Sequence, residues 1–202
     1  MMKRIVFMMA ILVCVGTSAQ TSKEARKILD KTAATISSKG GAYAKFTISN
    51  VKSGSTNGTI YIKGNMFKAI TPEATVWYNG KTQWSYMSQT EEVNITTPTR
   101  EEQMAMNPYT FINLYKQGYN LSKENKGGNY NIRLVATDKK AGIQEMYISV
   151  NQKTFVPTSV RMRQGGDWTT INISNFKKSV LASSIFVFNK SDYPNAEVVD
   201  LR

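Results

Sequence analysis

The sequence predicts a mainly β fold of the α+β class, about eleven antiparallel strands with helices laid over an apolar sheet face. Three observations predict it. From Asn57 to Thr96, short runs of alternating apolar residues are separated by turn residues, the pattern of an antiparallel meander. Asn79-Gly80 lies between two such runs and suits a two-residue type I′ turn, which needs positive φ at both central positions. Alternation then divides each strand into two faces: Ile60 and Ile62 oppose Thr59, Tyr61 and Lys63, and Thr82, Trp84 and Tyr86 oppose Gln83, Ser85 and Met87. One face of the sheet is mostly apolar, and either the protein's own helices or a ligand has to cover it.

Residues 1–19 read as a segment apart from the fold. Lys3 and Arg4 are followed by an apolar run from Ile5 to Val15, and Thr17-Ser18-Ala19 offers small residues for cleavage before Gln20. That is a secretory signal peptide, and its apolar run is shorter than the roughly 20 residues of a membrane span. Cys14 raises the alternative of a lipidated cysteine, but Val13 before it is not small, and cleavage there leaves a very short apolar core. A soluble exported protein is expected, with residues 20–202 as one domain large enough for a sizeable core.

Thr21-Ser22-Lys23-Glu24 fits a capping box, and Ala25, Ile28, Leu29, Ala33 and Ile36 continue one apolar helix face until Gly40-Gly41. Ala44, Phe46 and Ile48 mark the first strand, and Ser53 to Asn57 is a turn-rich link. The meander supplies strands near 57–63, 65–71, 75–78, 81–88 and 91–96. The pattern then changes: Arg100 to Met106 reads as a short helix with acids in its first turn, and Asn107-Pro108 as a second helix start that carries Phe111, Ile112, Leu114 and Tyr115 up to Gly118. This helical insertion is placed to cover the apolar sheet face. Strands resume over 119–124, 131–136, 143–150, 156–163 and 169–177, and a strand-like stretch runs from Glu197 to Leu201. In the later strands Val160 and Met162 oppose Arg161 and Arg163, and Ile171 and Ile173 oppose Asn172 and Ser174.

Composition narrows the chemistry. Cys14 is the only cysteine and there is no histidine. The mature chain therefore has no disulfide, no thiol nucleophile, no thiolate or imidazole metal ligand and no Ser-His-Asp triad. The paired acids Glu91-Glu92 and Glu101-Glu102 read as solvated surface, because neighbours on a strand point to opposite faces and acids in a first helical turn favour the dipole. No elbow motif presents a serine for a Ser-Lys dyad, and Gly127-Gly128 and Gly165-Gly166 lack phosphate-loop spacing. The formal charge is +12, or +10 without Lys3 and Arg4. It is spread along the chain with no dense cluster, so any single lysine reads as part of a solvated basic exterior, and attraction to anionic partners or a membrane surface is the functional reading. Nucleic acid is a poor partner for an exported protein. No cofactor or metal and no enzymatic activity is expected.

The order helix, strands, apolar helical insertion, strands resembles the LolA family, periplasmic carriers of lipoproteins to the outer membrane. Leu29-Asp30-Lys31, Asn65-Met66-Phe67 after Lys63-Gly64, the hairpin Asn79-Gly80-Lys81-Thr82-Gln83-Trp84-Ser85-Tyr86, Asn107-Pro108-Tyr109, and the closing segment from Tyr193-Pro194 to Asp200 each resemble family segments, and their order and spacing make the set fairly specific. The resemblance implies an incomplete eleven-strand barrel with a helical lid on its concave side and acyl chains held between the two. It makes Leu29, Phe46, Ile60, Ile62, Phe67, Trp84, Tyr86, Met146, Ile148, Val160 and Met162 candidate cavity residues, although periodicity alone reads them as ordinary core. It also implies a lid latch, an arginine on the sheet near a leucine on the first helix. Leu29 matches that leucine. Lys63 stands at the arginine position and lacks the planar fork of arginine, and Gly64 replaces the following proline. The implied partners are lipoprotein acyl chains, an inner-membrane lipoprotein-releasing transporter and an outer-membrane receptor, with the carrier itself a monomer. A lipid-binding or sensor module of the cell envelope, or an anchored lipoprotein receptor, would use the same fold.

Overall fold

The computed structural model describes residues 14–37, 39–52, 54–99 and 114–202, with side chains from Gln20 onward. Of the insertion helices expected from Arg100 to Gly118, residues 100–113 lie outside the described residues, as do residues 1–13 of the expected leader, and of the second helix only Leu114 is described as helical before a turn over residues 115–118. Helix α1 spans Cys14–Ile36. It runs straight through Thr21, so the capping box expected there does not form. Glu24 instead accepts from the Gln20 amide at 3.3 Å, one turn back, and from Lys123 Nζ at 2.6 Å. Ala25, Ile28, Leu29, Thr32 and Ile36 are buried on one stripe, at the spacing of a single helix face. Thr32 belongs to that stripe because its hydroxyl donates to the Ile28 carbonyl at 3.0 Å, which satisfies the one polar group on it.

Twelve strands form a single sheet among the described residues. They are β1 Ala42–Asn50, β2 Gly54–Lys63, β3 Met66–Ile70, β4 Ala74–Tyr78, β5 Gln83–Met87, β6 Glu92–Thr96, β7 Tyr119–Lys126, β8 Asn129–Ala136, β9 Ile143–Asn151, β10 Pro157–Gln164, β11 Asp167–Lys178 and β12 Glu197–Asp200. The eleven expected strands all form, and the strand-like C-terminal stretch becomes the twelfth. From β1 the chain meanders outward to β6, crosses to the far edge at β7, and meanders back until β11 pairs antiparallel with β1. The sheet is open and curled, and β12 closes its β6 edge as a parallel partner. The Asn79-Gly80 hairpin is present with a longer turn than the two-residue form. Tyr78 pairs with Gln83, and the Asn79 side chain accepts from the backbone N–H groups of Lys81 and Thr82 at 3.0 and 2.8 Å. An asparagine carboxamide that captures the turn's own N–H groups makes the type I′ geometry unnecessary. No helix of the described residues is long and apolar enough to cross a membrane.

Candidate functional site

Register decides which residues share the concave face. Paired residues on neighbouring strands point the same way, so one face can be followed strand by strand. Ile60 pairs with Ala44 and Ala69, Ile62 with Ala42 and Phe67, and Phe67 with Tyr78. Across the central pair, Phe46 meets Ile173 and Ile48 meets Ile171. The same face continues from Ile171 to Val160, then Ile148, then Ile132. Helix α1 lies over the β7–β9 part of this face, where Ala25, Ile28, Leu29, Leu121, Leu134 and Met146 join one core.

Beside that packed region the face encloses an apolar cavity of about 320 Å³. Of the residues singled out from the sequence, Phe46, Ile60, Ile62, Ile148, Val160 and Met162 line it. Sequence reasoning missed Ile48, Ile171, Ile173 and Phe176 on the sheet and Ile36 at the end of α1. Ile171 and Ile173 carried the signal, since both alternate with polar neighbours. Gly58 shapes the floor: a Cβ there would meet the Ile70 carbonyl oxygen at 2.2 Å and the Phe46 ring at 2.6 Å. The Phe46 ring therefore fits against β2 because that position has no side chain.

The remaining candidates are placed elsewhere. Leu29 on α1 and Met146 on β9 are fully buried and belong to the packed core between helix and sheet. Phe67 is on the concave face but packs on Tyr78, ring centroids 5.6 Å apart, outside the cavity lining. Trp84 and Tyr86 are on the opposite face. Trp84 pairs with Trp77 and Tyr86 with Thr75, whereas Gln83 pairs with Tyr78 and so shares the face of Phe67 and Ile62. The expectation that Trp84 and Tyr86 share the cavity face is corrected. They are apolar because the segment between β11 and β12 crosses the convex face there. Phe188 and Tyr193 from that segment pack on Trp77 at 5.6 and 5.5 Å, and Tyr193 on Tyr86 at 4.6 Å.

The latch pair is corrected in the same way. Lys63 points to the convex side and donates to the Leu181 carbonyl at 2.6 Å, whereas Leu29 is buried on the concave side of the sheet. It pins the C-terminal crossing. What ties α1 down is a different set of contacts. The Tyr115 hydroxyl donates to Asp30 Oδ1, Arg26 donates to the Tyr115 carbonyl at 2.7 Å, and Lys123 pairs with Glu24. The hydrogen bond and charge of Lys123 hold the Glu24 carboxyl below its usual range. Burial, with the Asp30 carboxylate, pushes the Tyr115 hydroxyl well above the ordinary phenol value. These polar groups lie at the α1–β7 seam, and among the described residues the cavity lining contains no titratable side chain.

An open curled sheet with α1 across it and an apolar cavity on the concave side defines a half-barrel protein of the ligand-holding kind. The family described as outer membrane lipoprotein carrier protein LolA matches residues 15–166, and the chain belongs to it. No curated protein matches the sequence. Among solved structures, an uncharacterized conserved protein from Thermus thermophilus superposes with a TM-score of 0.59 at 14% identity, over 88% of this chain and 99% of that one. A LolA superfamily protein from Nitrosomonas europaea (TM-score 0.45, 13% identity, 81% and 97% covered) and the lipoprotein LppX from Mycobacterium tuberculosis (0.46, 9%, 79% and 98%) are also similar.

Proposed function

We propose that the protein is a soluble periplasmic carrier. Its concave cavity holds the acyl chains of lipoproteins released from the inner membrane and carries them toward the outer membrane. The observation that carries this reading is the cavity of about 320 Å³, lined by Phe46, Ile60, Ile62, Val160, Ile171 and other apolar side chains. That size falls within the range of small-molecule sites, and its lining can bury methylenes at about 0.8 kcal/mol each. Membership of a family described by lipoprotein carriage supports the cargo. The expected leader, with Gln20 opening the mature chain, supports the compartment. Function is binding and release without covalent chemistry, in exchange with a lipoprotein-releasing transporter at one membrane and an acceptor at the other. Methionine and aliphatic side chains form an adaptable surface, which suits a cargo that has to leave again.

Photo-crosslinking residues at positions 62, 171 and 84 in the producing cell test the reading. Lipoprotein adducts are expected at 62 and 171 and not at 84. Adducts at 84 alone, or hydrolytic turnover abolished by one Ser or Glu substitution, would sink it. The intact mass of the exported protein tests solubility: an unacylated chain beginning at Gln20 is expected, and a diacylated Cys14 would make it an anchored receptor.

A further inference from the structure

The convex face of β8 to β11 gathers charge that is dispersed in the sequence. Register places Arg133, Tyr147 and Arg161 in one cross-strand row, and Glu145, Arg163 and Trp168 in the next. Glu145, with its side chain only 12% exposed, accepts from Arg133 Nε at 2.7 Å and from the Tyr147 hydroxyl at 2.9 Å, and its other oxygen is 3.6 Å from the Arg163 guanidinium. Burial pushes the Glu145 carboxyl up, but the Arg133 and Tyr147 hydrogen bonds and the two guanidinium charges outweigh it and hold the group below its ordinary value. One ionised carboxylate therefore serves a cluster of three arginines.

The surplus positive charge faces outward. Arg161 is exposed and lies 4.1 Å over the Trp168 ring, and no carboxylate of the described residues pairs with it. Arg163 is 5.9 Å from the same ring, and its side chain is partly exposed although its Nε is buried. Over β1 to β11 this face carries Lys45, Lys68, Lys177 and the three arginines among its basic residues, and only Glu124 and Glu145 as acids. The β10–β11 hairpin also borders the cavity. Gln164 and Thr169, next in sequence to Arg163 and Trp168, turn to the other face and line the cavity, and Gln164 is exposed where the cavity meets solvent. Guanidinium groups and an indole thus lie beside the cavity rim on its convex side, and the one acid at that hairpin end, Asp167, is held by Lys52 at 2.7 Å.

We propose that this rim docks the protein on an anionic phospholipid bilayer, with Arg161 and Arg163 on headgroup phosphates and Trp168 at the interfacial layer. Guanidinium groups match phosphate oxygens with a planar fork. Trp is the side chain suited to headgroup depth, with an apolar body and one polar N–H. The +10 charge left without Lys3 and Arg4 adds long-range attraction to an anionic leaflet. Docking through the edge of the β10–β11 hairpin, where Arg163 and Trp168 adjoin Gln164, rather than flat on the convex face, keeps the cavity rim beside the surface from which an acylated cargo departs or at which it arrives. The proposal goes beyond the carrier reading and stands on separate residues.

Co-sedimentation of the purified full chain with vesicles tests it. The vesicles are phosphatidylethanolamine with phosphatidylglycerol, against phosphatidylcholine alone, at low and high salt. Binding is expected to the phosphatidylglycerol vesicles only and to weaken with salt. R161Q/R163Q should lose affinity roughly thirtyfold and R161Q alone about fivefold, from the usual contribution of a basic residue at an anionic surface. K23Q/K27Q removes the same charge from exposed α1 positions and should bind as the unaltered chain does. Equal losses in the two double variants, or equal binding to phosphatidylcholine, would overturn the proposal. So would indifference to vesicles combined with tight binding of a polyglutamate peptide, which would assign the rim to an acidic protein. Thermal melts report folding, and R161Q alone decides the question if the double variant unfolds. A fluorescent acyl probe in the same samples keeps the two readings apart: lost vesicle binding with full probe uptake removes the docking rim alone, and the converse removes the cavity reading alone.

Discussion

Ile171→Glu places a carboxylate in the middle of the cavity lining, and its effect can be worked from the structure. Ile171 sits on β11 between Ile48 and Val160 in the concave row, partly exposed to the cavity. Because the side chain already borders open space, the folding cost stays below the roughly 1.5–3 kcal/mol of a fully buried aliphatic residue. An acyl chain suffers more. A carboxylate keeps its hydration, and the water it holds displaces methylenes from the wall. Four displaced methylenes forfeit about 3 kcal/mol at ~0.8 kcal/mol each, a loss of roughly two orders of magnitude in affinity. Asn172→Glu is the control, since Asn172 is the next residue, exposed on the convex face. The assay is titration of a fluorescent long-chain acyl probe, with thermal melts to confirm folding. Equal affinities for the two variants would refute the assignment of the concave face as the binding surface.

Two further outcomes follow from single contacts. Gly58→Ala should lower stability by about 1–3 kcal/mol through overpacking, because its Cβ has no room against the Ile70 carbonyl and the Phe46 ring. Displaced Phe46 should also weaken probe binding, and an unchanged melting temperature would show that the floor is not tight. Glu145 sets an acid-side dependence. Its carboxyl is depressed in the folded chain, so its contribution is fully present above the unfolded value of about 4.3 and is lost as pH falls through the folded value. Melting temperatures from neutral pH to pH ~3 should fall less steeply for Glu145→Gln than for the unaltered chain, and parallel curves would show that the arginine cluster contributes no such linkage.

The strand pattern was legible in the sequence because it is local. Alternation of Ile171 and Ile173 with Asn172 and Ser174, or of Val160 and Met162 with Arg161 and Arg163, states which residues share a face within one strand. It placed the strands and the burial of α1 through Ile28, Leu29 and Ile36. The Thr21 cap was misread because side-chain partners of Glu24 come from Gln20 and from β7, and the second of these is remote in sequence.

Which face became the cavity was decided only by the tertiary structure. Trp84 and Tyr86 are as apolar as Ile60 and Ile62, and strand period has no term for the segment that covers them. Lys63 meets Leu181, 118 residues away, and Tyr86 meets Tyr193. These contacts depend on the C-terminal crossing, which buries the second face of β4 and β5. The pairing of β1 with β11 likewise brings Phe46 to Ile173 and curls one row of aliphatic side chains around the cavity. The sequence by itself determined the strands, the helix and the apolar alternation, since each depends on residues within a few positions of one another. The register across the sheet and the routing of the crossing segment determined the rest, because burial is a property of what packs on a surface.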